Sequence, residues 1–214
     1  MNFTLFRFPI RIEGTFLLIL LIFLNYDLSA GNYTSFLLKA AGILISFLFH
    51  ELGHALMFRK YGIESKMVFH GFGGVCIPQN SRSLTHWNDI FITLAGPIMN
   101  FVMAGISFLV LKSGIQIASE AQIFFNFFLF INLLWGIFNL IPLLPMDGGM
   151  ALQSFMKAIK IKKAIEISIF ISFVILAGFA VWCINSGSLW NIALVIFFAY
   201  ENYEIWQRHK KNQH

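Results

Sequence analysis

Six apolar runs, separated by short basic connections, constrain this chain more than any other feature. They fall at Phe8–Leu28, Ser35–Phe58, Asn88–Leu111, Ala121–Pro145, Ala164–Ile184 and Leu189–Trp206. A helix crossing the hydrocarbon core of a bilayer needs roughly 20 apolar residues, and five of the runs reach or approach that length. The first is the weakest, because its purest stretch, Thr15–Leu24, is short. Arg7 and Arg11 before it and Leu28-Ser29-Ala30 after it also suit a cleavable signal peptide. Only 12% of the 214 residues are charged, about half the share in a soluble domain. The expectation is an all-α integral membrane protein with about six transmembrane helices. It forms a single domain over residues 1–207, with a short cytoplasmic tail at 208–214.

The net charge of +5 raises the question of nucleic acid, and its distribution answers it. The basic residues sit beside apolar runs, and no long basic stretch is interleaved with aromatics, so no nucleic-acid partner is expected. With an inside N-terminus and six spans, thirteen of the fifteen Lys and Arg residues fall on the inner side. Only Lys39 and Lys112 fall outside. This bias places both termini in the cytoplasm, with a bacterial cytoplasmic membrane as the simplest setting. Cys76 and Cys183 are the only cysteines and form no CxxC pair, which argues against a disulfide framework or a thiolate zinc site. The longest connection, Tyr61–Trp87, contains Phe69-His70-Gly71-Phe72-Gly73-Gly74-Val75. Its glycines and short alternation predict a re-entrant or β-hairpin loop between the second and third helices.

Inside the second run stands His50-Glu51-Leu52-Gly53-His54. On a helix, residues four apart share a face, so both imidazoles can address one metal ion. Glu51 beside them can take a proton from a water whose acidity the metal has raised. Ionisable groups in an apolar segment are costly and call for a function. A polar cluster that merely ties helices together is the plainer reading. Catalytic zinc usually has three protein ligands. The fourth run ends in Asn139-Leu140-Ile141-Pro142-Leu143-Leu144-Pro145-Met146-Asp147-Gly148-Gly149, where two prolines break the helix and two glycines permit a tight turn. Asp147 can be presented from that broken end, although a polar cap at a helix terminus would read the same way.

Together, FHELGHAL (49–56), GFGG (71–74), AGPIMN (95–100) and NLIPLLPMDGG (139–149) resemble the site-2 protease family of intramembrane zinc metalloproteases. The resemblance covers about residues 45–150. It implies one Zn2+ held by His50, His54 and Asp147, with Glu51 as general base. It also implies that the loop around Gly71–Gly74, with Gly73 and Gly74, helps hold an unwound substrate strand, and that Asn139 contacts the substrate backbone or the oxyanion, with helix packing the alternative for that asparagine. Asn100 and Pro97 read as structural, and His70 and His86 as solvated or packing histidines. Met146 stands where the family often has leucine. The expected partners are a transmembrane protein substrate and membrane lipid, with selection by the helices, the loops or a regulatory membrane partner. A metal transporter or a catalytically inactive relative is the alternative.

Overall fold

The computed structural model describes residues 1–71, 73–80, 82–186 and 189–211. Phe72 of the GFGG motif and the last three residues of the expected tail lie outside the described residues. The chain divides into two compact units, Met1–Ser83 with Ala95–Phe138, and Leu84–Leu94 with Asn139–His214.

The first unit holds a four-stranded sheet of β1 (Asn2–Leu5), β2 (Phe8–Ile12), β3 (Ser65–His70) and β4 (Gly73–Pro78), in that spatial order. The β1–β2 and β3–β4 pairs are antiparallel, and β2 runs parallel to β3. The expected hairpin after the second apolar run is therefore present as β3–β4. The all-α expectation is corrected, because the protein is mostly helical with a small mixed sheet. The sequence carries the cause in Phe8-Pro9-Ile10-Arg11-Ile12. Phe8 and Ile10 are buried while Pro9 and Arg11 are exposed, the period of two that marks a half-buried strand. Phe6 and Arg7, both at positive φ, close the two-residue β1–β2 turn in the manner of a type I′ hairpin. The Arg59 guanidinium holds that turn, donating to the Phe6 carbonyl at 3.1 Å and lying 4.2 Å from the Phe8 ring centroid.

The first apolar run is thus divided among β2, the ten-residue α1 (Gly14–Phe23) and the five-residue α2 (Asn25–Ser29). At 1.5 Å per residue, α1 reaches only about 15 Å, half a bilayer core. It packs Phe16 and Leu20 against Phe8, Ile10, Met67 and Phe69 of the sheet and Phe47 and Leu52 of α3 (Tyr33–Lys60). At the start of α3, buried Asp27 accepts hydrogen bonds from Lys39 and Ser35, each at 2.9 Å. The Lys39 bond holds its carboxyl below the usual carboxylate range. The unit is completed by most of α4 (His86–Lys112) and by α5 (Ser119–Asn139).

The second unit contains α6 (Asp147–Ala158), α7 (Ala164–Ser186) and α8 (Leu189–Lys211). Four helices are long and apolar enough to cross a membrane: α3, α4, α5 and the Ala164–Cys183 part of α7. Of the six expected spans, these four qualify by length and composition among the described residues, and the count of six is not confirmed. The first run is broken, and α8 carries Glu201, Glu204, Arg208, Lys210 and Lys211 along its second half. The spanning helices expose large apolar side chains, among them Val102, Leu109, Phe130, Ile137, Phe170 and Val181. In water such surfaces would be costly, and against lipid they are the natural outer face.

Candidate metal centre

The local reason for the centre is the helical repeat. In α3, His50 and His54 are one turn apart, and both are buried together with Glu51. Their Nε2 atoms lie 3.2 Å apart, with the rings nearly perpendicular at 81°. Two nitrogens bound to one tetrahedral zinc at about 2.0–2.1 Å would be separated by about 3.3–3.4 Å. The pair is therefore spaced as ligands of a single ion.

Small residues make room for this arrangement. A side chain added at Gly53 would collide with the Ala95 carbonyl oxygen, so α3 and α4 approach closely there. One added at Gly96 would run into the His54 ring and stand 2.8 Å from His50 Nε2. The Ala95-Gly96-Pro97 segment of α4 thus forms a floor beneath the two Nε2 atoms. On the sheet side, a Cβ at Gly74 would meet Glu51 Cγ and Oε1 at 2.6 Å. The carboxylate therefore lies directly against β4, one of the two edge strands of the sheet among the described residues. Gly73, at φ +127°, provides the left-handed backbone at the start of that strand. Cys76, two residues along, offers no competing chemistry. Burial, with the Glu51 charge adding to it, pushes its thiol up to about 12 against a lowering hydrogen bond with Ser65.

His50 Nδ1 lies 2.6 Å from Asn100 Oδ1. Asn100, expected to be purely structural, thus touches a metal-ligand candidate. Its amide nitrogen reaches Asn132 Oδ1 at 2.9 Å and Ser46 Oγ at 3.2 Å, and all three residues are fully buried. Sequence reasoning passed over Ser46 and Asn132. The available signal was a lone polar residue in an apolar helix, with Ser46 one turn before His50.

In the second unit, Asp147 is the first residue of α6, with Met146 extended before it as N-cap. A carboxylate in a helix's first turn is favoured by the helix dipole. The preceding turn contains the cis Leu144–Pro145 bond. It folds so tightly on α6 that a Cβ at Gly148 would strike the Leu140 carbonyl, and one at Gly149 would meet Leu143 and Leu144 backbone. Both polar groups of Leu144 are held. Its N–H donates to Ser172 Oγ at 2.9 Å, and its carbonyl accepts from Asn202 Nδ2 at 2.5 Å. Neither Ser172 of α7 nor Asn202 of α8 was singled out from the sequence. Their role depends on where a distant turn comes to lie.

His50, His54 and Asp147 form a group whose ligand atoms all lie within 4.8 Å of one another, two of the residues buried and one partly so. Two imidazoles and a carboxylate are the donor set of many catalytic zinc sites, and the nitrogen spacing and the Gly96 floor fit such an ion. His70 and His86 lie outside the group; His86 is half exposed and 3.7 Å from Asp89. Asn139 is buried at the C-terminal end of α5.

Comparison with known proteins agrees with this chemistry. The sequence profile of peptidase family M50 matches residues 38–120 and 110–179. Zinc metalloprotease MJ0392 of Methanocaldococcus jannaschii is 29% identical over 153 residues, covering 71% of this chain and 44% of that protein. The protein sll0528 of Synechocystis sp. is 32% identical over 162 residues, covering 71% of this chain and 42% of its own. The matched region thus spans less than half the length of either relative. Among solved structures, the site-2 protease from Methanocaldococcus jannaschii shares the fold. Its TM-score is 0.67 at 23% identity, covering 95% of this chain and 94% of the other.

Proposed function

Because this chain belongs to peptidase family M50, the site-2 protease family, we propose that it is an intramembrane zinc metalloendopeptidase. It would hydrolyse peptide bonds within or near the transmembrane segments of other membrane proteins. The observation that carries this reading is the His50, His54 and Asp147 donor group, its two histidines buried with Glu51 beside them in α3, a helix suited to lipid. These three residues would hold the zinc. When bound, zinc makes water acidic enough to lose a proton near neutral pH and polarises the scissile carbonyl.

The remaining work falls to the chain. Glu51 accepts the proton of the attacking water and returns it to the leaving amine, the role of a general base that then acts as acid. A transmembrane helix has its carbonyls tied in i to i−4 bonds, so the substrate must unwind before cleavage. The outer edge of β4 offers backbone donors and acceptors to an extended strand, and Gly74 would bring that strand against the Glu51 carboxylate. Asn139 is assigned to the substrate backbone in the same reading. Lipid surrounds the exposed apolar helix faces.

The sheet also bears on orientation. Pairing of β2 with β3 sets Arg7 and Arg11 beside the connection that carries Arg59, Lys60, Lys66 and Arg82. A cytoplasmic N-terminus agrees with that cluster.

The test is zinc content together with cleavage. Protein purified in detergent is expected to hold one zinc per chain and to cut a transmembrane peptide, with loss of both on chelation. Bound zinc without cleavage of several such substrates would favour a metal transporter, and well-folded protein without zinc would end the proposal. The Gly74→Ala variant probes the strand. Its methyl must displace the Glu51 side chain, and a displacement of about 1 Å costs on the order of 10²-fold in rate. Zinc content should stay at the wild-type level. Undiminished turnover would show that the reaction does not depend on Glu51 being held against Gly74.

A further inference from the structure

The buried polar residues of α3, α4 and α5 form a chain with a definite direction, which can be read from one fixed end. Asn132 Nδ2 donates to the Phe128 carbonyl at 2.8 Å. A backbone carbonyl only accepts, so the Asn132 amide cannot be turned over, and its Oδ1 must point the other way. That oxygen accepts from Ser46 Oγ at 3.0 Å and from Asn100 Nδ2 at 2.9 Å. The second Asn100 N–H is directed at Ser46 Oγ, 3.2 Å away. With its nitrogen committed on both hydrogens, Asn100 can present only Oδ1 to His50. An oxygen acceptor 2.6 Å from Nδ1 requires that nitrogen to carry the hydrogen. Nε2 is left with its lone pair, facing His54 Nε2.

We infer that the Phe128 carbonyl, acting through Asn132 and Asn100, sets the tautomer of His50 and aims its Nε2 at the metal. Asn100 is thus a positioning residue that touches the ligand, and Asn132 is one that acts without touching it. Ser46 completes the count of donors and acceptors, so the fully buried cluster leaves Asn100 no alternative orientation of comparable energy. Outer-shell partners of this kind typically change metal affinity by about 10–100-fold when removed.

The inference rests on His50 as a zinc ligand, but its first measurement does not need zinc or activity. In zinc-free protein labelled with 15N-histidine, NMR in detergent should find His50 protonated at Nδ1 and bare at Nε2. The opposite tautomer in wild type would overturn the inference and leave the protease reading untouched. Asn132→Leu, which removes the fixed end without contacting His50, should give a mixture of tautomers. It should also weaken zinc by about 10–100-fold in chelator competition. Asn100→Leu should do the same, whereas Asn100→Asp, which keeps an oxygen on Nδ1–H but loses the donor to Asn132 Oδ1, should retain the Nδ1–H tautomer. A packing role alone would give leucine and aspartate the same tautomer. Unchanged affinity and tautomer in folded Asn132→Leu would show that the chain does not extend beyond Asn100 and defeat the inference. Should that variant fail to fold, Asn132→Ala removes the same anchoring amide without adding a branched side chain and supplies the same comparison.

Discussion

Glu51→Gln is expected to abolish cleavage and to leave zinc in place. The substitution keeps the size of the side chain and its position against Gly74, and it leaves His50 and His54 unaltered on the same helix face. What it removes is the ability to take a proton from water. General-base catalysis contributes about 10²–10⁴-fold, so the rate on a transmembrane peptide should fall by at least that range. Metal analysis of the same sample should still return the wild-type zinc content. A rate within tenfold of wild type would exclude Glu51 as the base. Loss of zinc with loss of rate would instead make Glu51 part of the metal's support.

Asp147→Ala should have the converse signature, in which zinc itself is lost. The two histidines remain, but a site with two protein ligands holds zinc far more weakly than one with three. A first ligand should matter more than its outer-shell supports, so affinity should drop by more than about 100-fold in chelator competition. Activity should not return when zinc is restored to the wild-type level, because the coordination geometry differs. The Ser172 and Asn202 bonds to Leu144 hold the preceding turn and do not involve the Asp147 side chain, so the helical fold should persist. Unchanged zinc affinity would move the third ligand to another residue.

The readable parts of the centre were those governed by short-range periodicity. His50 and His54 share a face because a helix repeats every 3.6 residues, and Glu51 follows from adjacency. The β3–β4 hairpin was legible from the glycines and alternation of 65–78. By contrast, the first apolar run was misread as a span because its hydrophobic content was weighed without its period. Phe8, Ile10 and Ile12 alternate with Pro9, Arg11 and Glu13, and that pattern becomes decisive only when β3 is available as a partner 50 to 60 residues away.

By itself, then, the sequence determined the apolar helices, the histidine pair with Glu51 beside it and the broken helix end that carries Asp147. Each of these is a property of composition or of neighbours within one or two turns. Only the tertiary structure decided that Gly96 floors the imidazoles and that Gly74 lies on Glu51. It likewise decided that Asn100 orients His50 and that Ser172 and Asn202 grip Leu144. Those contacts join residues up to 58 positions apart, and an isolated glycine or asparagine in an apolar helix looks the same whatever it will meet. Close packing and the demand that buried polar groups be paired select their partners only once the helices have assembled.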